Sequence, residues 1–443
     1  MQSKRKFYLA LVIFSLVGQI AWVVENMYLN VFIYKMFGAS AAEISAMISA
    51  SAIAATVTTL VIGALSDKLG KRKLFMCGGY ILWGVSILGF ALVRLDVIGA
   101  MLPAAASVSA VCITLVIVLD CLMTFFGSSA NDACFNAWLT DMTDEGERGR
   151  AEGINAMMPL LAILCVFGGF MSFDLSLSSS WTVIFCIIGA CVLLIGVLGI
   201  FIIEEPKLDT TGNRHYFANI LYGFRPSVVR KNPRLYLYLI AFALFGISIQ
   251  IFMPYLILYY TETLRMANYV FIMAPAIILA SVFTVLWGRV YDGRGFVTAA
   301  VPSLSLLAVG YLILLLSRAT ALVFIGSLLM MCGYLSGAAV FGAVIRDETP
   351  KNRTGMFQGL RIVAQVLIPG VIGPAIGAFV LRDAEKVVGD DGTEAFLPNE
   401  GIFLAALLAV LVLAVYLLFV LLDMKKRKNA VLVKKGHKTE KDV

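Results

Sequence analysis

Gln19, Trp22, Glu25 and Asn26 stand in an otherwise apolar stretch at i, i+3, i+6 and i+7. This spacing brings an indole, a carboxyl and two amides onto one broad face of a helix. An aromatic plate flanked by amides suits a hydroxyl-rich ligand, whose apolar ring face stacks while its hydroxyls find hydrogen-bond partners. Glu25 adds a second chemistry. An ionisable side chain at mid-membrane costs roughly 2.5–3.5 kcal/mol on the insertion scale, and an apolar cavity disfavours the charged form of a carboxyl, so Glu25 is expected to load and release a proton or hold a cation. Asp120 is expected to be a second cavity carboxylate. Asp132 and Asn136 lie one helical turn apart, and Asp132 is expected to pair with a basic residue. Twelve positions separate the two aspartates, about 18 Å along a helix, so they cannot share one ion. Gln250, Tyr255 and Tyr259 form a further polar face, and Arg361 and Gln365 are one turn apart. For each of these residues the alternative is helix packing through polar side chains.

The elements that must position these groups follow from composition. The 443-residue chain is 60% hydrophobic and only 14% charged, with a mean hydropathy of +0.91, far from the soluble norm of roughly 25% charged residues. Apolar runs near 20 residues recur along it, each long enough to cross a hydrocarbon core about 30 Å thick. They predict an all-α polytopic membrane protein with spans near 7–34, 44–66, 74–93, 108–138, 154–174, 181–203, 235–260, 268–288, 298–316, 321–345, 359–380 and 402–422. Lys4, Arg5 and Lys6 precede the first run as in a signal peptide, but no small-residue cleavage site follows, so the run reads as a retained first span. With an even number of spans, 28 of the 35 Lys and Arg residues fall on the side of the termini and six on the other. The positive-inside rule then puts both termini in the cytoplasm, in an inner membrane. The basic tail is expected to attract anionic lipid, and the net charge of +7 is a topological signal and not a nucleic-acid footprint.

The two halves of the chain repeat. At an offset of 225 positions, Gly63, Asp67 and Gly70 fall on Gly288, Asp292 and Gly295; at an offset of 206, Asp141, Thr143, Gly149 and Gly153 fall on Asp347, Thr349, Gly355 and Gly359. Matching turns at corresponding places imply a duplicated six-helix unit: a bundle over 1–203, a linker over 204–234, a second bundle over 235–424 and a basic tail over 425–443. Two six-helix halves related by an axis along the membrane normal are the architecture of the major facilitator superfamily. GALSDKLGKRK, Gly63 to Lys73, resembles that family's signature loop between helices two and three, G-x-L-x-D-x-x-G-R-[RK]-x-[RK], with Lys71 where arginine is usual. The resemblance implies that spans one and seven line a central cavity. It also implies that Asp67, Arg72, Asp141 and Arg148, with Asp292 and Arg294 in the second half, act in gating. QIAWVVEN and DCLMTFFGSSANDACFNAWLTDMTD resemble the sugar-transporting sucrose-transporter branch and the glycoside-pentoside-hexuronide:cation symporters. In the melibiose-type members, acids on helices two and four bind the coupling cation. Span two here has no acid before Asp67, which favours proton coupling through Glu25 or Asp120.

The expectation is therefore a monomeric secondary transporter that carries a small polar solute, a sugar or glycoside, by symport with H+ or Na+. Gln19, Trp22, Asn26, Gln250, Tyr255 and Gln365 would bind substrate, and Glu25 and Asp120 the coupling ion. Export of drugs or metabolites by proton antiport is the alternative; it calls for a more apolar cavity than these amides make. A membrane enzyme or a transporter-like sensor finds little support: no GxSxG, HExxH or Walker A pattern occurs. The only histidines, His215 and His437, lie in polar stretches, and the eight cysteines form no CxxC pair, so no metal site or other cofactor is expected. The longest outer connection, 382–400, reads as a solvated acidic loop.

Overall fold

In the computed structural model, which describes residues 2–143, 145–206, 222–266, 268–350, 354–388 and 394–439, twelve helices are long and apolar enough to cross a membrane. Spans one to six are Lys4–Phe37, Ala41–Leu69, Arg72–Phe90, Val108–Asp141, Gly149–Phe170 and Ser178–Ile202. Spans seven to twelve are Pro233–Thr263, Val270–Arg294, Phe296–Leu316, Thr320–Glu348, Gly359–Val380 and Gly401–Leu422. The shortest has 19 residues and still reaches about 28 Å at 1.5 Å per residue. Large apolar side chains such as Phe201, Val285, Leu316 and Phe419 are exposed, as a surface solvated by lipid tails requires. Where spans meet, small residues let the backbones approach: a Cβ on Gly84 of span three would lie 2.5 Å from the Leu193 nitrogen of span six, and one on Gly333 of span ten 2.4 Å from the Leu307 nitrogen of span nine. Of the expected linker and tail, residues 207–221 and 440–443 lie outside the described residues.

Four spans are not uniform α-helices. π-helical segments occur in them at Val24–Tyr28, Ser128–Phe135, Tyr259–Thr263 and Val363–Leu367, the second eight residues long and the third closing span seven. Each extra residue per turn rotates the side chains that follow, and such bulges are frequent at functional sites. Here they coincide with Glu25 and Asn26, with Asn131 and Asp132, with Glu262, and with Gln365.

The two halves are sealed together at the end that carries Phe37 and Thr263. There Lys35 Nζ and Glu262 Oε1 form an ion pair at 2.7 Å, and the Tyr28 and Tyr269 hydroxyls meet at 2.9 Å. Tyr255 Oη donates to the Ala41 carbonyl at 3.1 Å, and nearer the middle of the spans Ser49 Oγ donates to the Gly370 carbonyl at 3.4 Å. The connection expected as a solvated loop contributes to the seal. Strands β1 (Lys386–Val388) and β2 (Glu394–Phe396) pair antiparallel, with Lys386 opposite Phe396. Phe396 is buried, with its ring edge-on to Tyr34 and Tyr255, and its carbonyl accepts from Tyr34 Oη at 2.5 Å. Phe396, at one end of an acidic stretch, finds an aromatic partner across the halves in Tyr34, which composition alone does not reveal. A half-buried pair such as Lys35–Glu262 is worth up to about 1 kcal/mol. Lys35→Gln is therefore expected to raise the population open at this end about two- to five-fold, read as the distance distribution between spin labels at Ser40 and Asn268. An unchanged distribution would remove the pair from the seal.

Candidate functional site

Glu25 and Asn26 are neighbours in the π turn of span one, and their side chains enter different surroundings. Asn26 is exposed and donates to the Trp22 carbonyl at 2.8 Å, whereas Glu25 is 8% exposed and turns into the first half. Its Oε1 accepts from Ser51 Oγ of span two and Thr124 Oγ1 of span four, both at 2.8 Å, and the two hydroxyl oxygens are themselves 2.7 Å apart. Its Oε2 has no partner among the described residues. Asp120, one turn before Thr124, is 2% exposed and has an unpartnered Oδ1; it lies within electrostatic reach of Glu25 and shares a hydrogen bond with the Ser51 hydroxyl. Among the described residues no Lys, Arg or His acts on either carboxyl. Two buried charges without a counter-charge are strongly unfavourable, so the arrangement is chemically suited to take up a proton or a monovalent cation.

Beside it lies an aromatic and amide group. Trp22 Nε1 donates to Asn131 Oδ1 at 3.3 Å, Asn131 Nδ2 donates to Tyr80 Oη at 2.7 Å, and Tyr80 Oη donates to the Phe14 carbonyl at 2.6 Å. The Trp22 ring packs on Trp83 with centroids 5.0 Å apart, and Gln19 is half-buried on the same helix. The group closes so tightly that a Cβ on Gly18 would lie 2.4 Å from Asn131 Nδ2 and 2.5 Å from Tyr80 Oη. Gly18→Ala is expected to break the Asn131–Tyr80 bond and to destabilise the protein by about 1–3 kcal/mol through overpacking. Thermal unfolding of the purified protein measures this, and an unchanged midpoint would mean that the group relaxes freely.

The second half contributes less to this neighbourhood. Gln250 is half-buried against span eleven, where a Cβ on Gly373 would lie 2.4 Å from its own Cβ. Gln365 is exposed and accepts from Arg361 Nε at 3.4 Å. Tyr255 is fully buried in the seal between the halves. No described contact joins Gln250 or Gln365 to the Trp22 group. Asp132 accepts from Ser128 Oγ at 2.9 Å; the basic partner expected for it is not found among the described residues, because the π segment presents the preceding hydroxyl to its carboxylate. A cavity of about 760 Å³ shares no residue with these groups: it lies at the sealed end, lined by Lys35, Glu262, Arg265, Arg318, Glu385 and Asn399 among others.

At the opposite end, Arg72 is buried and ties three spans of the first half together. It forms an ion pair with Asp67, donates from Nε to Asp141 Oδ2 at 3.1 Å and from Nη1 to Ser66 Oγ at 2.5 Å. The corresponding turn of the second half differs. Asp292 and Arg294 are exposed, and the neighbouring Tyr291 donates to Asp347 Oδ2 at 2.5 Å. The Arg148 side chain lies outside the described residues. Sequence reasoning gave no role to Ser51, Thr124, Trp83 or Asn131. Hydroxyls and aromatics are common throughout these spans and Asn131 stands beside a second amide and an aspartate, so only the carboxyl and the indole that they meet set these four apart.

The profile of the Major Facilitator Superfamily matches residues 7–374. No curated protein matches the sequence. Among solved structures, a mutant of the nucleoside transporter NupG aligns with a TM-score of 0.69 at 14% identity, covering 92% of this chain and 98% of that one. A D-xylose-proton symporter aligns with a TM-score of 0.68 at 13% identity, covering 92% and 97%. A bacterial homolog of the human lysosomal transporter Spinster, in an inward-facing and unoccupied conformation, aligns with a TM-score of 0.67 at 14% identity, covering 93% and 96%. Identities this low show a shared fold and nothing finer.

Proposed function

The chain belongs to the Major Facilitator Superfamily, and from that premise we propose that it moves a small polar solute, a sugar or glycoside, by symport coupled to a proton or cation. Both termini would lie in the cytoplasm of a cell with this protein in its inner membrane, so that the sealed end faces outward and the Asp67 end inward. The distribution of Lys and Arg supports this orientation. The two halves, 1–203 and 235–424, would rock about the mid-membrane site as a monomer, with the ties of Arg72 to Asp67 and Asp141 remade or released at the inner end.

The observation that carries the reading is the Glu25–Asp120 pair, buried without a counter-charge, with Glu25 one helical turn from Trp22 of the Trp22–Asn131 group. A coupling ion and a substrate that bind adjacent groups on one helix can each depend on the other's presence, which symport requires. Trp22, Gln19 and the exposed Asn26 offer a ring face and amides to a hydroxylated solute, and Gln250 and Gln365 offer amides from the other half. The test is uptake of labelled mono- and disaccharides into proteoliposomes under an inward proton gradient, an inward sodium gradient, or neither. Accumulation of a sugar under one gradient alone supports the reading. No accumulation of any sugar by folded protein would redirect it to another solute or to antiport.

A further inference from the structure

The cavity of about 760 Å³ at the Lys35 end is walled by both halves: Lys35 comes from span one, Glu262 and Arg265 flank the end of span seven, and Glu385 and Asn399 belong to the connection between spans eleven and twelve. Its size is within the roughly 300–1,000 Å³ of small-molecule sites. Most of its polar groups are already engaged. Lys35 pairs with Glu262, and Arg318 with Glu400 at 3.0 Å. Thr261 Oγ1 donates to Glu262 Oε1 at 2.8 Å, and the Tyr34 and Thr263 hydroxyls donate to the carbonyls of Phe396 and Pro398. Three groups are left. Arg265 and Glu385 form no ion pair among the described residues, and Asn399 accepts from the Gly401 nitrogen through Oδ1 at 3.0 Å, which leaves its Nδ2 to donate elsewhere. Arg265 also stands where glycine is usual: it is the only non-glycine residue with a positive φ, 52°, among the described residues. The Leu264 nitrogen donates to the Tyr259 carbonyl and the Met266 nitrogen to the Tyr260 carbonyl, both at 2.9 Å, so Arg265 is the left-handed residue that ends the helix, a position glycine fills without strain. A long side chain kept there despite the strain points to a use for it.

We propose that this cavity is a second solute site, held against the closed seal, that takes a neutral polyol such as a sugar ring, with Arg265, Glu385 and Asn399 as its binding residues. This rests on the sugar reading proposed above and adds a site separate from the Trp22 group. The ligand class follows from the groups left over. A guanidinium and the Nδ2 of an amide only donate, and a carboxylate only accepts. A hydroxyl does both, so neighbouring hydroxyls of one ring accept from Arg265 and Asn399 and donate to Glu385. An anion would be opposed by Glu385 and a cation by Arg265. Val387, Leu397 and Pro398 of the same wall offer apolar surface to the ring face. A solute bound here waits beside the Lys35–Glu262 pair, which parts when the halves separate at this end.

Equilibrium binding of labelled pentoses, hexoses and disaccharides to the full chain in lipid nanodiscs tests this. The native protein is expected to bind a sugar at two sites per chain. Arg265→Gly is expected to reduce the count to one while the thermal unfolding midpoint stays the same or rises, because glycine suits the left-handed turn. Glu385→Gln is expected to weaken the same site about ten-fold through the loss of a charged hydrogen-bond acceptor, and Trp22→Ala to remove only the other site. A single site that Arg265→Gly abolishes and Trp22→Ala spares would also uphold the proposal. It is overturned by a single site lost in Trp22→Ala and kept in Arg265→Gly, by a second site indifferent to Arg265→Gly and Glu385→Gln, or by no sugar binding at all. A cavity that prefers a zwitterionic amino acid to every sugar would overturn it too. Should Arg265→Gly not fold, the Glu385→Gln titration decides. Sugar uptake by a protein with only the Trp22 site would sink this inference alone, and a sugar held at the Arg265 site without any uptake would sink the transport reading alone.

Discussion

Glu25→Gln is expected to abolish gradient-driven accumulation while leaving exchange of solute across the membrane intact. An inward gradient of two pH units supplies about 2.7 kcal/mol per proton, enough for about 100-fold accumulation by a one-to-one symporter. Glutamine keeps the shape of the side chain and can still hydrogen-bond to Ser51 and Thr124, but it cannot release a proton. The halves can then still rock with solute bound, and the internal concentration should fall from about 100-fold to parity with the medium. Two measurements on the same vesicles separate these effects: accumulation under the imposed gradient, and counterflow of labelled solute with no gradient. Native-level accumulation by the variant would remove Glu25 from coupling. Loss of counterflow as well would mean that the residue is needed for binding or for the conformational change.

The second large effect is expected at the opposite end of the bundle. Arg72 is buried and forms ion pairs with both Asp67 and Asp141, so Arg72→Ala leaves two carboxylates facing one another beside a void. Removing one partner from a buried ionic network typically costs about 3–5 kcal/mol, and that loss is expected in unfolding of the purified protein. Arg294, exposed in the corresponding turn of the second half, supplies the contrast: Arg294→Ala is expected to stay within about 0.5 kcal/mol of the native protein. Equal effects of the two changes would mean that the turns are equivalent in stability and that the Asp67–Arg72–Asp141 network does not hold the first half together.

The contrast between these turns illustrates where sequence is informative and where it stops. The repeat that relates Asp67 to Asp292 was visible as spacing, because a duplicated helical unit keeps its turn glycines and acids at constant offsets. Whether each copy is tied down depends on which helix end approaches it, and only folding decides that. Arg72 meets Asp141 across 69 positions of chain, a distance that no local pattern encodes. The outer connection over 382–400 is similar: its acidic composition suggests solvent, yet Phe396 is drawn between Tyr34 and Tyr255, which arrive from spans one and seven.

Amino-acid order alone determined the twelve spans and the family, because crossing a hydrocarbon layer demands some 20 consecutive apolar residues and so writes itself as local composition. It also marked Glu25, Asp120 and Trp22, since polar groups are conspicuous against such a background. What only the tertiary structure decided is their company. Glu25, in the π turn of span one, meets Ser51 and Thr124 while Asn26 is exposed, and Tyr255 lies in the seal. Helix periodicity cannot anticipate one extra residue in a turn, and hydroxyls on two different spans acquire meaning only when packing brings them and a carboxyl oxygen of a third span within 2.8 Å of one another.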